Sequence, residues 1–63
     1  MCLATAYTDK GGTETVIAQY VAKVEFRDGN VVLTDILGQE TVVEGTLKNV
    51  DLSKNTVEIS CPA

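Results

Sequence analysis

Sixty-three residues, nine acidic against five basic side chains for a net charge of -4, and no histidine or tryptophan define the chain. A chain this short buries only about 60% of the surface its unfolded form exposes, so a large enclosed substrate cavity is excluded and support from a partner subunit or a staple is expected. The missing histidine removes Ser-His-Asp and Cys-His nucleophile pairs, HExxH and Cys/His zinc sites, while the acidic balance opposes contact with nucleic-acid phosphates and anionic membranes.

Valine, isoleucine and threonine make up 20 of the 63 residues, a β-branched load that favours strands, and Ala and Leu are too dispersed to sustain a helical stripe. Cys2 to Thr8 is the first expected strand, closed by Asp9-Lys10-Gly11-Gly12, where glycine takes positive φ without a Cβ penalty. Thr13 to Ala18 reads as a short strand leading into a bend. Tyr20 to Arg27 alternates, with Tyr20, Ala22, Val24 and Phe26 on one face and Val21, Lys23, Glu25 and Arg27 on the other. Asp28-Gly29 then predicts a tight hairpin, because a type I′ turn needs positive φ at both central residues. Val31 to Asp35 returns, Gly38-Gln39 turns into Glu40 to Glu44, Gly45 permits a kink or bulge, and Thr46 to Asp51 follows. Ser53-Lys54-Asn55 closes the last hairpin, Thr56 to Ser60 sends Val57 and Ile59 inward, and Pro62 ends pairing for want of an N–H.

Six or seven short strands imply an all-β domain spanning residues 1–63: a meander curled into a small SH3-like or Sm-like barrel, since closure removes exposed edges. No run approaches the roughly 20 apolar residues of a spanning helix. The start Met1-Cys2-Leu3-Ala4 lacks the basic flank and apolar core of a signal peptide, so a cytoplasmic protein with reduced thiols is expected. Cys61 is third from the end, which does not fit CaaX prenylation. Lys10-Gly11-Gly12-Thr13 lacks the glycine spacing and the Gly-Lys-Ser/Thr order of a phosphate loop.

Without histidine, the soft-metal donors are the thiolates of Cys2 and Cys61 and the terminal amine, helped by main-chain amides. If Met1 is retained, its amine, the Cys2 amide nitrogen and the Cys2 sulfur form two fused five-membered chelate rings in one plane, suited to square-planar nickel(II) or copper(II). If Met1 is removed, Cys2 offers its own amine and thiolate, and two chains meeting at a two-fold axis complete an N2S2 square. An ordinary terminal thiol is the plain alternative reading of the same residues. Asp28, Asp35, Glu40, Glu44 and Asp51 fall beside turns or on outward faces, where solvation explains them. Tyr7, Tyr20 and Phe26 suit a core or subunit contact better than a base-stacking platform. Leu3, Val16, Ile17, Ile36 and Leu37 include apolar positions that alternation does not send inward, as a subunit contact requires.

The opening Met1-Cys2-Leu3-Ala4, the Gly11-Gly12 turn, the Val21 to Asp35 block with Asp28-Gly29 in its hairpin, and Val50-Asp51-Leu52 before a short last strand together resemble the CooT family of small nickel-binding proteins. The specific part is the cysteine directly after the initiator methionine. The resemblance implies a small all-β homodimer that is not an enzyme and binds nickel(II) through Cys2 with the Met1 main-chain amine, contributed by both chains. It also implies a role as metallochaperone or nickel store in maturing carbon monoxide dehydrogenase or another nickel enzyme. Cys61 departs from the family pattern. If the first and last strands are neighbours, it is placed either to approach Cys2, for co-ligation or a disulfide, or to lie as a thiol at a frayed C-terminus. The competing functional reading is a metal-free Sm-like module that recognises RNA or a protein segment by its edge or loops.

Overall fold

The computed structural model describes residues 3–9 and 12–61. Within them are six strands: β1 (Ala4–Thr8), β2 (Thr15–Arg27), β3 (Asn30–Asp35), β4 (Glu40–Glu44), β5 (Thr46–Asp51) and β6 (Thr56–Ser60). The expected first strand is therefore seen from Ala4 onward, and its Cys2 lies outside the described residues.

Turn chemistry set most boundaries as the sequence implied. Asp28 and Gly29 adopt φ of 51° and 79°, the double left-handed pair of a tight hairpin, and Gly38 and Asn55 take positive φ at the two later turns. The expectation of two segments at Thr13–Ala18 and Tyr20–Arg27 is corrected: β2 is one strand of 13 residues. It bends within the strand at Tyr20, whose φ is 58°, where the pairing shifts on both edges. The bulge, with the register shift between Val21 and Lys23, turns Val21 into the core, so alternation fails at Tyr20 and Val21, while Val24 packs against the core as expected. Val21 is buried while Tyr20 and Phe26 are 62% and 66% exposed.

All strands join one six-stranded mixed sheet in the order β4-β3-β2-β1-β6-β5. The expected meander is corrected at one seam, because β1 and β6 run parallel, Thr5 to Thr8 beside Thr56 to Ile59, whereas the other pairs are antiparallel. Among the described residues no ladder joins the edge strands β4 and β5. Yet only Gly45 separates them in the chain, so covalent continuity draws the two edges together at that corner and the sheet must curl. A Cβ on Gly45 would lie 2.5 Å from the Ser60 carbonyl oxygen, which is why this close approach requires glycine.

The curl builds the core. Val31 and Leu33 of β3 meet Val57 and Ile59 of β6 across the concave side, with Ala6 and Val21 between them. The inward direction of Val57 and Ile59 is as alternation predicts, and each removes apolar surface from water worth about 1.5–3 kcal/mol. The convex side of β2, β3 and β4 carries charge: Arg27 binds Glu25 at 2.9 Å and reaches Glu40 at 3.0 Å. Glu25, Val32 and Val42 lie opposite one another in register, so the Arg27–Glu40 link crosses over Val32, which is buried although it points away from the core.

Candidate functional site

Met1 and Cys2, the expected metal donors, lie outside the described residues, and the description begins with the strand that follows them. β1 starts at a row of paired residues that crosses five strands: Asp35, Val21 and Ala4 on one side, then Thr5, Thr56 and Asp51. The Thr5 N–H donates to the Asn55 carbonyl at 2.9 Å and the Ile36 N–H to the Tyr20 carbonyl at 3.0 Å. These bonds fasten the β5–β6 turn and the β3–β4 turn to either flank of the start of β1.

Both turns are built on an aspartate. The Asp35 carboxylate accepts the N–H groups of Leu37 and Gln39 at 2.8 and 3.0 Å. The Asp51 carboxylate accepts the Ser53 hydroxyl at 2.6 Å and the N–H groups of Ser53 and Lys54 at 3.0 and 3.2 Å. The Ser53 hydroxyl bond, helped by the Lys54 and Ser53 amides, holds the Asp51 carboxyl below the usual carboxylate range. Asp35 and Asp51 thus work as turn anchors. Glu40, expected on an outward face, has its pKa lowered by the Arg27 guanidinium that hydrogen-bonds it.

Cys61 is not at a frayed end. It is half-buried, and its N–H donates to the Asp9 carboxylate at 3.3 Å, while the other oxygen of Asp9 lies 3.6 Å from the Lys48 ammonium. Because β6 runs parallel to β1, Cys61 follows the end of the pair that lies beside Thr8 and Asp9, whereas Leu3 stands at the opposite end. Six residues of extended chain from Leu3 to Asp9 span about 20 Å. The two terminal strands are neighbours, as a closed arrangement suggested, but their parallel sense keeps Cys61 away from the end of β1 at which the N-terminal segment enters.

The Cys61 thiol borders a cleft of about 510 Å³ that Thr8, Ile17, Thr41, Val42, Val43 and Glu44 also line. It contains one thiol and one carboxylate. Among the described residues no group of three or more His, Cys, Asp and Glu side chains could hold a metal ion. A second, smaller cleft is lined by Tyr7, Glu14, Lys54, Thr56 and Glu58. There the Glu14 carboxyl hydrogen-bonds Glu58 and is repelled by it, which raises its pKa. Among the described residues no helix is long and apolar enough to cross a membrane.

Sequence reasoning named Tyr20, Ile36 and Leu37 as suited to a subunit contact but missed Leu52 and the nearness of all four to the β1 start. Leu37 is 83% and Leu52 80% exposed, and Tyr20 and Ile36 accompany them. Ile36 and Leu37 were legible as apolar residues that alternation leaves outside. Leu52 gave no signal, because it lies in a turn.

No curated protein matches the chain. Among solved structures it superposes on a protein described as a CooT from Carboxydothermus hydrogenoformans, with a TM-score of 0.87 at 22% identity, over 98% of this chain and 100% of that one. At that identity the likeness shows the fold. The family model described as CO dehydrogenase accessory protein CooT matches residues 1–60. Since that match takes in all six strands and the Met1-Cys2 opening, the chain belongs to the CooT family of CO dehydrogenase accessory proteins, an accessory family and not a catalyst.

Proposed function

We propose that this protein binds nickel(II) as cargo for the maturation of carbon monoxide dehydrogenase or another nickel enzyme, using the Met1 amine and Cys2 of two chains in a cytoplasmic homodimer. The observation that carries the reading is the family match that includes position 2. Two features support it. The chain has no histidine, so a site for a thiophilic divalent ion must draw on sulfur and main-chain nitrogen, and Met1-Cys2 supplies both within adjoining residues. The remaining sulfur donor, Cys61, follows the far end of the β1–β6 pair from Leu3. One chain then offers at most three of the four donors of a square, and a second chain completes it. The same reading takes the curled sheet as a small SH3-like barrel whose seam runs between β4 and β5 at Gly45. A net charge of -4 weighs against the RNA-binding alternative.

The experiment is a nickel(II) titration of tag-free protein, followed by thiolate-to-nickel absorption and by native mass spectrometry. One metal per two chains is expected, with Cys2→Ser abolishing uptake and Cys61→Ser leaving it intact. Uptake that survives Cys2→Ser, or equal losses in the two variants, would overturn the assignment.

A further inference from the structure

The two edges of the sheet are guarded differently. β5 carries Lys48 and a break in register between Leu47 and Asn49, devices that turn away a further strand. β4 has neither: Glu40 to Glu44 pair with Thr34 to Asn30 in unbroken register, and Thr41-Val42-Val43 is a β-branched run. Paired with the core residues Leu33 and Val31, Thr41 and Val43 share the concave face, while Val42 and Glu44 fall on the convex one. Yet all four border the cleft of about 510 Å³ beside Thr8, Ile17 and Cys61. Consecutive residues of a strand point alternately to opposite faces, so they line one cleft together only along the strand's edge. The outer edge of β4 is therefore a wall of this cleft, and the main-chain groups of Thr41 to Glu44 that face away from β3 have no backbone partner among the described residues.

We propose that this edge is the docking site for an extended segment of a partner protein, added to β4 as a further antiparallel strand with a basic side chain opposite Glu44. Unpaired donors and acceptors along an edge select a strand as occupant, because a strand returns hydrogen bonds at the matching spacing, and antiparallel pairing is the more stable sense. Four such residues span about 13 Å. The inner side of the cleft is apolar, since Ile17 and Val43 pack against the core, so the residue opposite Val43 is apolar as well. Glu44 decides the charge. Arg27 is held by Glu25 and Glu40, Lys48 by Asp9, and Glu44 has no ion pair among the described residues. In a chain of net charge -4 that carboxylate selects Lys or Arg and opposes a second acidic copy as occupant. An antiparallel segment running from Glu44 to Thr41 then reads basic, apolar, β-branched, polar. The cleft lies at the Thr8 end of β1, opposite Leu3, and the proposal does not rest on the nickel reading.

The test is a titration of the isotope-labelled full chain with the capped peptide acetyl-Gly-Lys-Val-Val-Thr-Gly-amide, followed by amide chemical shifts and hydrogen exchange. The expected dissociation constant is about 1 mM or lower, with shifts confined to Thr8, Ile17, Thr41 to Glu44 and Cys61 and slower exchange in β4. N-methylation of both valines of the peptide blocks an N–H that must face β4 and should raise the dissociation constant at least about 10-fold. Glu44→Lys, at an exposed position that leaves far-ultraviolet circular dichroism unchanged, should weaken binding of this peptide and favour the one with Glu in place of Lys. Absence of shifts at several millimolar peptide, shifts elsewhere on the sheet, indifference to N-methylation, or no exchange of charge preference each overturns the proposal. So do β4 amides that move on dilution of the protein alone, which would give the edge to a second copy.

Discussion

Gly45→Ala perturbs the corner at which the chain passes from one edge of the sheet to the other. The added Cβ would meet the Ser60 carbonyl oxygen at 2.5 Å, the Ile59 Cγ2 at 3.2 Å and the Ser60 carbonyl carbon at 3.3 Å. Ordinary contact begins at 3.4 Å, so the oxygen must recede by about 0.9 Å. It cannot do so alone, because Ser60 pairs with Thr46 in the β5–β6 ladder and follows Ile59, which is 1% exposed in the core. Overpacking against a fixed backbone costs about 3 kcal/mol, from which the lower entropy of the unfolded alanine chain subtracts about 0.5–1 kcal/mol. A net loss of about 2 kcal/mol remains, equivalent to a Tm lower by about 10 °C in a domain of this size. Left-handed strain adds nothing, because Gly45 is absent from the glycines with positive φ. Urea and thermal unfolding followed by far-ultraviolet circular dichroism at fixed protein concentration measures the loss, the concentration being held because dimerisation would add to apparent stability. A variant within about 0.5 kcal/mol of the wild type would refute the close-contact argument.

Other substitutions probe other parts of the fold. Ile59→Ala empties a position at the centre of the core and should cost about 2–5 kcal/mol, while Val42→Ala on the exposed convex side should stay within about 0.5 kcal/mol in the same urea experiment. Asn55→Val forces a β-branched side chain to φ of 55° and should lose about 1–2 kcal/mol, most of which Asn55→Gly restores. The depressed pKa values of Asp51 and Glu40 contribute stability that is present above the usual carboxylate range and is lost as pH falls through the lower folded values. Asp51→Asn and Glu40→Gln should therefore flatten the acid limb of a stability–pH profile. Glu14 has the opposite sign: its raised pKa favours the folded state while protonated, and that contribution disappears as pH rises through the folded value. Glu14→Gln should accordingly stabilise the protein slightly at neutral pH and have no effect in acid, and a loss at neutral pH would show that the contact with Glu58 is not repulsive.

The strands and turns were legible because they depend on neighbours in sequence. Alternation of apolar residues placed Val57 and Ile59 in the core, and Asp28-Gly29 could close a hairpin because both central φ angles are positive, a demand that two adjacent residues meet alone. The lack of histidine was equally a property of the chain, and it narrowed the donors for a thiophilic ion to sulfur and main-chain nitrogen whatever the fold. Alternation failed at Tyr20 and Val21 because Tyr20 adopts a left-handed φ inside a strand and the pairing slips on each side of Val21, which turns Val21 into the core before the expected faces resume at Val24. That conformation is set by the demand that β2 serve β1 on one edge and β3 on the other, which no local signal announces. The sense of the β1–β6 pair was hidden for the same reason. Parallel and antiparallel ladders use the same residues, and only the path of the chain through Gly45 and back along β5 determines that β6 arrives parallel to β1. That one direction fixes the position of Cys61 at the far end of the terminal strands from Leu3. The sequence by itself determined which soft donors the chain carries; the tertiary structure decided that Cys61 follows the end of the β1–β6 pair opposite Leu3, because direction is a property of long-range pairing.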